Sequence, residues 1–507
     1  MQPIYSVFAA DNPWNLLLPE IAMVVLALFL LMYDLFLKGE KNRSATIAIV
    51  GQILIIFLMA LGVGRAEPGI SFGGLLKSSS LSEFGRYFFL CSSVLTSILA
   101  CTYLKRRSLA WTEFHHLTII IAAALMLLLQ SHHFVMLFIT LETATVGFYI
   151  LVSYCRHNPL SLEAGLKYLI LGALSSTLLL FGSVLVYGAV GAGTNGLDAM
   201  NYANIAGFVS LNQDSTLLRV GLLLIMAGLL FKVGAIPFQI WIPDVYQGAP
   251  TPVTAYLSVA SKAAGLLVLL QLLTGPFAAL QNFVTPLISV IAVLTIFFGN
   301  MSALSQRNVK RMMGLSGVAH AGYMLLGVLA AFHVPEMASK ALLFYLSTYL
   351  LASYAVFGVM TWHAGADDAD QDIRSYIDFG EKQPILSFIL VIGLASLAGI
   401  PPLAGFIGKM LLFMATWNAG LVAGSSLLHI LLLFAVVGVA ISIYYYFGWI
   451  QEATFYFWKL KEEEEKKQKE LEAKYPKALK AGFLCTLAIL TVLSVVVGFY
   501  QGLIPVL

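Results

Sequence analysis

Apolar stretches of about twenty residues recur from one end of this chain to the other, and that length matches the ~30 Å hydrocarbon core of a bilayer. About fourteen can be marked, at 16–37, 45–64, 84–104, 115–131, 133–155, 162–191, 216–238, 253–274, 284–304, 312–332, 338–363, 385–415, 426–450 and 480–505. The boundary between the fourth and fifth rests on Ser131-His132-His133. Of the 507 residues, 59% are hydrophobic and 11% charged, roughly half the charged share of soluble domains. Several soluble domains of this total length would each need a polar shell, and the sequence has too little polar material to supply one. The expected fold class is therefore all-α integral membrane, with about fourteen transmembrane helices.

Lysine and arginine divide unevenly between alternate loops. One set holds Lys38, Lys41 and Arg43, then Lys105, Arg106 and Arg107, then Arg156, then Arg307, Lys310 and Arg311; the other holds Arg65 and Lys77, with Arg219 and Lys340 at span edges. The basic side is expected to be cytoplasmic, which leaves both termini on the exterior, as an even number of spans requires. Residues 1–14 lack the basic region of a cleaved signal peptide, so the first apolar segment is expected to be retained. The run at 459–480 alternates Glu and Lys, with Glu462–Lys466, Glu463–Lys467 and Glu465–Lys469 at i,i+4, the pattern of a solvated cytoplasmic helix. The Asp-rich stretch 366–382 reads as a solvated loop.

Two spans contain helix breakers in similar settings: VGAIP at 233–237, with Gly234 and Pro237, and LAGIPP at 397–402, with Gly399, Pro401 and Pro402. A proline in a helix removes one hydrogen bond and frees a carbonyl, tolerable in lipid only where protein or water satisfies the backbone. Paired interruptions of this kind mark transporters built from repeats. The breaks fall in the seventh and twelfth spans, so spans four to eight are expected to repeat as nine to thirteen. Five is odd, so the two copies would be inverted. The corresponding division is 1–110 (three helices), 111–275 and 276–452 (one five-helix bundle each), and 453–507 (the charged helix and last span).

Ionisable residues deep in apolar spans cost at least ~2.5–3.5 kcal/mol each to insert. Glu142 lies mid-span in LFITLET, Lys232 just before the first break, Lys262 in SVASKAA, His320 about eight residues into the tenth span, and Lys409 after the second break in GFIGKM. Lys167, four residues after Glu163, together with Lys310, Lys340 and Asp34, can be explained by ion pairing or by snorkelling to the interface. The three central lysines lie too deep for that, and one central carboxylate cannot pair with all of them. Burial favours a neutral lysine while a nearby carboxylate favours the cation, which suits proton relay. For His320, packing and shuttling remain equal alternatives.

Other chemistry finds little support. Cys91, Cys101, Cys155 and Cys485 form no C-x-x-C pair, and no metal or iron–sulfur ligand set is evident. His115-His116 and His132-His133 would stand ~25 Å apart along one helix, too far to share an ion. GAGTNG at 191–196 matches G-x-G-x-x-G, but it closes a membrane span instead of linking a strand to a helix. The net charge of +3 is confined to loops, and no nucleic-acid partner is expected.

Several of these residues stand in longer motifs. FKVGAIPFQIWIPDVYQGAPTPV at 231–253 resembles the signature of the antiporter-like membrane subunits of respiratory complex I, NADH:quinone oxidoreductase. GLKYLILGALSS at 165–176, NVKRMM at 308–313 with HAGY at 320–323, and ASKALLFY at 338–345 resemble the same family. The form DVYQGAP at 244–250 is similar to the subunit N branch, whose sisters L and M usually have histidine there. A lysine at 409 suits N and L, whereas M typically has glutamate. Around Glu142, ETAT replaces the family's usual Leu/Ser-rich wording, which puts the local packing in question more than the glutamate's role.

The resemblance implies a fourteen-helix fold with two inverted bundles and a central polar axis. Glu142 and Lys232 would form the ion pair of the first bundle, Lys262 and His320 would bridge to the second, and Lys409 would be its terminal proton carrier, with Lys167 in support. It implies a multi-pass subunit of the bacterial inner membrane that binds no cofactor itself, beside other membrane subunits of a complex that uses NADH and quinone. A photosynthetic-type quinone oxidoreductase, a multicomponent sodium/proton antiporter and a purely structural scaffold are the alternatives. DVYQGAP speaks against the antiporter, and the surplus of buried lysines against the scaffold.

Overall fold

A computed structural model describes residues 12–37, 41–65, 67–105, 107, 109–193, 198–364, 368, 371–377, 379–454 and 477–500. The chain is a stack of helices: α1 (Leu18–Leu37), α2 (Lys41–Ala60), α3 (Ser80–Lys105), α4 (Thr112–Leu128), α5 (Phe134–Val152), α6 (Pro159–Gly193), α7 (Tyr202–Leu211), α8 (Thr216–Val233), α9 (Trp241–Gly248) and α10 (Thr251–Tyr256). They continue with α11 (Lys262–Thr274), α12 (Gln281–Leu304), α13 (Val309–Ala330), α14 (Pro335–His363), α15 (Phe379–Lys382), α16 (Pro384–Ala398), α17 (Ala404–Ala423), α18 (Ser426–Thr454) and α19 (Lys477–Phe499). Among the described residues, thirteen helices are long and apolar enough to cross a membrane, and the shorter apolar helix Thr112–Leu128 supplies the fourth expected span.

Burial sorts these helices into an inner and an outer set. The segments 251–274 and 309–330 are buried along their length, whereas 426–454 and 14–36 turn many apolar side chains outward. Outward apolar faces are the normal surface of a protein whose solvent is lipid. Two further features lie outside the fourteen-span pattern. One is a short hairpin, β1 (Gly69–Ser71) antiparallel to β2 (Leu76–Ser78). The other is α7, which buries Tyr202, Ile205 and Val209 on one face. Both are too short for a hydropathy window to register.

Both breaks are present. α8 ends on Gly234 (φ +78°) and α16 on Gly399 (φ +86°), left-handed conformations that glycine adopts without a Cβ clash. The peptide bonds Ile236–Pro237 and Pro401–Pro402 are cis. Protein groups satisfy the backbone freed at each break. Trp241 Nε1 donates to Phe231 O at 3.2 Å and Thr295 Oγ1 accepts from Ile236 N at 3.1 Å. At the second break, Ser396 Oγ accepts from Gly405 N at 3.2 Å.

A buried ion pair fastens α1 to α3. Arg86 Nε donates to Glu20 Oε1 at 2.7 Å with both side chains nearly inaccessible. Its remaining donors reach Leu16 O, Gly64 O and Gln130 Oε1. Removing one partner of such a pair strands a buried charge, at a cost of ~3–5 kcal/mol. Arg86→Met should therefore sharply lower thermal stability and assembly, and Arg86→Met combined with Glu20→Gln should recover most of the loss. A melting temperature that does not move in the single variant would show that the pair contributes nothing.

The charged run at 459–480 lies outside the described residues except for its last four positions, which begin α19. Gly191–Gly193 close α6, so the glycine-rich sequence there ends a helix, and 194–197 lie outside the described residues.

Candidate proton-transfer site

The expected lysines are inside. Lys232, Lys262, His320 and Lys409 are each at most 4% exposed, and their partners are almost all uncharged. Lys232, in the last turn of α8, donates to Thr145 Oγ1 at 2.8 Å. A cation in a helix's last turn faces the negative end of the helix dipole. α11 crosses α8 closely at Gly265, where a Cβ would stand 3.0 Å from Lys232 Cβ. That glycine brings the helix carrying Lys262 against the helix carrying Lys232.

Lys262 follows a π-helical turn at Leu257–Ser261, a local widening often found at functional sites. Its ammonium donates to Gly317 O at 2.5 Å and lies 5.4 Å from the centre of the Tyr349 ring. His320, one turn after Gly317 on α13, has both ring nitrogens occupied, with Tyr345 Oη at 2.6 Å from Nδ1 and Tyr446 Oη at 3.1 Å from Nε2. Lys409 Nζ donates to Leu397 O at 2.8 Å and Ala398 O at 2.9 Å, the carbonyls left open where α16 stops. It also stands 5.3 Å from the centre of the Tyr323 ring.

Together these contacts form a row: Lys262, Tyr349, His320 with Tyr345 and Tyr323, then Lys409. The tyrosines are the part that the search for charge in apolar spans misses. Tyr345 and Tyr349 share a helix face at i,i+4, and Tyr323 lies three residues after His320. A polar tip at helical spacing to a buried histidine was the available signal.

Glu142 departs from expectation. It is half-buried and accepts from Ser176 Oγ at 2.5 Å, and the ion pairs among the described residues do not include one between it and Lys232. Lys232 instead meets Thr145, three residues further along α5, so carboxylate and ammonium are offset by about one helical turn. In place of the expected direct pair, each group bonds a hydroxyl of its own, Glu142 that of Ser176 and Lys232 that of Thr145. The outward neighbours of Glu142 on α5 include Val135, Ile139, Val146 and Ile150, with Thr143 beside them bonded back to Ile139 O, so the carboxylate lies on a mainly apolar outer face.

Beside Lys409 there is a cavity of about 320 Å³. Its walls are Phe406, Met410, Phe413, Trp417 and Val439, among others, with Lys409 the one charged lining residue. Such walls do not by themselves retain water.

Lys167 lies outside the row. It bonds Glu163 and Asp244 at 2.7 Å each and is substantially exposed, and Asp244 also takes Arg311 at 2.9 Å. Lys340 pairs with Glu336 on the surface, and Asp34 accepts from Thr112. Lys310 does not snorkel: it is fully buried and paired at 3.2 Å with Asp368, so the loop read as solvated is partly docked. Burial alone would raise the Asp368 carboxyl, but Lys310, Arg107 and the Thr251 donors outweigh it and hold it below the usual carboxylate range. A depressed carboxyl stabilises the fold above its unfolded pKa and loses that contribution only as pH falls through the lower folded value, so the Asp368 carboxyl stays ionised at neutral pH.

Of the histidine doublets, His116 Nδ1 meets Ala27 O, and His133 caps α5 and meets Asp198 Oδ2 at 3.0 Å. Among the described residues no cluster of three or more His, Cys, Asp or Glu side chains is placed to hold a metal.

The sequence profile described as NADH:quinone oxidoreductase/Mrp antiporter, transmembrane region, matches residues 131–439, which span both breaks and the whole lysine row. The chain belongs to this family. Within it, the chain is 49% identical over 97% of its length, and 96% of the relative's, to NADH-quinone oxidoreductase subunit N 1 of Opitutus terrae. It is 36% identical over 87% of its length, and 82% of the relative's, to NAD(P)H-quinone oxidoreductase subunit 2 of Nostoc sp.. A chain of the respiratory complex I structure from Thermus thermophilus with bound aureothin superimposes at TM-score 0.74, with 27% identity, covering 95% of this chain and 98% of that one. As a member of the NADH:quinone oxidoreductase/Mrp antiporter family, the chain has the antiporter-like membrane fold, and each buried lysine noted above falls within the matched region.

Proposed function

We propose that this chain is the subunit N of a bacterial NADH:quinone oxidoreductase and that it moves protons across the inner membrane along the row from Glu142 through Lys232, Lys262 and His320 to Lys409. The observation that carries this reading is the set of three buried ammonium groups held by hydroxyls and backbone carbonyls instead of carboxylates. A cation whose partners are neutral can give up its proton without stranding a buried anion, whereas a salt-bridged lysine cannot. The 49% identity to a subunit N along nearly the whole chain supports this branch over the photosynthetic-type relatives.

The NADH and quinone chemistry belongs to other subunits, and redox energy reaches this chain as a change in charge or geometry at its edge. Glu142 is the natural receiver. A carboxylate on a mainly apolar outer face cannot stand against lipid at reasonable cost, so a neighbouring membrane subunit covers α5 there. Two charges at 4 Å interact by about 4 kcal/mol and at 8 Å by about 2 kcal/mol at an effective dielectric of 20. Drawing Glu142 toward or away from Lys232 thus changes the energy by about what moving one charge against 100 mV requires, ~2.3 kcal/mol. Residues 111–275 and 276–452 form the two inverted bundles joined at Lys262 and His320, preceded by the three helices of 1–110 and followed by 453–507.

The reading is tested by purifying the native complex through an affinity tag on this chain. NADH:quinone reductase activity, with other membrane subunits in the preparation, is expected, and a preparation that does not oxidise NADH would overturn it. For orientation, with both termini exterior, a membrane-impermeant thiol reagent should label Ser426→Cys from outside and Ser305→Cys only from the cytoplasmic side. The reverse pattern would invert the topology.

A further inference from the structure

The segment after α14 is built onto the start of α13: Val309 N donates to Gln371 O and Ile373 N to Arg307 O, both at 2.9 Å. Asp368, 5% exposed, is held inside this segment. Its Oδ2 accepts from Thr251 N at 2.9 Å and from Lys310 Nζ at 3.2 Å, and its Oδ1 from Thr251 Oγ1 at 2.6 Å and Gln371 Nε2 at 2.8 Å. Thr251 opens α10, whose own N-cap residue, Pro250, offers no side-chain acceptor. The first-turn amide of α10 is an orphan donor of the kind every helix start carries, and Asp368 caps it from 117 residues away.

Both ends of this clasp lead to the bridge between bundles. α10 runs through the π turn into Lys262, eleven residues or ~16 Å from Thr251. Lys310 begins α13, seven residues or ~10 Å before Gly317, whose carbonyl receives the Lys262 ammonium. Lys310 Nζ also donates to Ala249 O at 2.6 Å. One carboxylate and one ammonium therefore tie the start of the Lys262 helix to the start of the Gly317–His320 helix. A buried pair of this kind gains little stability over an apolar replacement; what it supplies here is a fixed register between two stiff helices.

We propose that Asp368 is a positioning residue for proton transfer, setting the contact of Lys262 with Gly317 through Lys310 and the first turn of α10. This rests on the relay proposed above. The test uses the intact complex in liposomes and measures protons moved per electron pair at matched complex abundance, in Asp368→Asn, Asp368→Glu, Thr251→Val and Lys409→Met. Asp368→Asn keeps the size of the side chain and loses the charge that holds Lys310. Its ratio should fall below half of wild type, and Asp368→Glu should recover most of it. A merely structural clasp would lower abundance and leave the ratio of the assembled complex unchanged, which would overturn the proposal. Should Asp368→Asn not assemble, Thr251→Val decides, because it removes one donor to Asp368 and leaves the charge pair: a reduced ratio supports the proposal and a wild-type ratio refutes it. If Lys409→Met loses pumping while Asp368→Asn does not, only the positioning role falls. If Lys409→Met pumps normally, the relay reading fails and this inference fails with it.

Discussion

Lys409→Met should abolish most proton pumping while leaving the complex assembled, whereas Lys409→Glu should retain a substantial part. Methionine has comparable length and fits the walls of Phe406, Met410 and Phe413 around the adjoining cavity, so little packing is lost. It cannot carry a proton and cannot donate to Leu397 O or Ala398 O. Those carbonyls are at the end of a helix, where an orphan acceptor can still be met by a shift of the last turn, so the stability cost stays near that of a lost hydrogen bond, ~1–3 kcal/mol. A glutamate at this position in its neutral form can donate to one of the two carbonyls, and it can release and regain that proton. Proton translocation per electron pair in the two variants, at matched abundance, separates the roles. If Lys409 were only a helix cap, methionine would pump normally and the ratio would be unaffected in both.

Glu142→Gln should lower pumping and coupled turnover severalfold with near-normal assembly. The structure changes the reason. A direct buried pair would have made this substitution costly for folding, since stranding a partner costs ~3–5 kcal/mol. Glu142 instead bonds Ser176, and Lys232 bonds Thr145, so both keep a partner when the carboxylate becomes an amide. What disappears is the charge that acts on Lys232 across one helical turn. Reconstituted complex with the glutamine variant should therefore be as abundant as wild type and pump poorly. Abundance collapsing together with pumping would instead show that the glutamate is structural.

The spans and both breaks were legible because hydropathy, glycine and proline act locally: about twenty apolar residues span a bilayer wherever they occur, and Ile236-Pro237 or Pro401-Pro402 interrupts a helix regardless of its neighbours. The depth of Lys232, Lys262, His320 and Lys409 followed from position within a span. Several partners were not legible, because they come from far along the chain. Tyr446 reaches His320 from 126 residues away and Asp368 reaches Thr251 from 117. Tyrosine carries no formal charge, so a search for costly charges in lipid passes over Tyr323, Tyr345 and Tyr349 although they line the row. Asp368 was hidden for the opposite reason. In an Asp-rich loop each carboxylate looks solvated, and only the fold shows that Asp368 turns inward to meet Lys310. The offset between Glu142 and Lys232 depends on how α5 and α8 slide past each other, which spacing within either helix does not encode.

The lysine row is tested most directly at its centre. Lys262 stands in the row between Lys232 and His320, held by the Gly317 carbonyl and the face of Tyr349. The measurement is the number of protons moved per electron pair by the purified Lys262→Met complex in sealed liposomes, with quinone reduction and complex abundance determined in the same preparation. A ratio well below wild type, with the complex intact and still able to reduce quinone, is the predicted result. A wild-type ratio in the same preparation would contradict it, because protons would then be crossing without the buried ammonium that stands between Lys232 and His320 in the row.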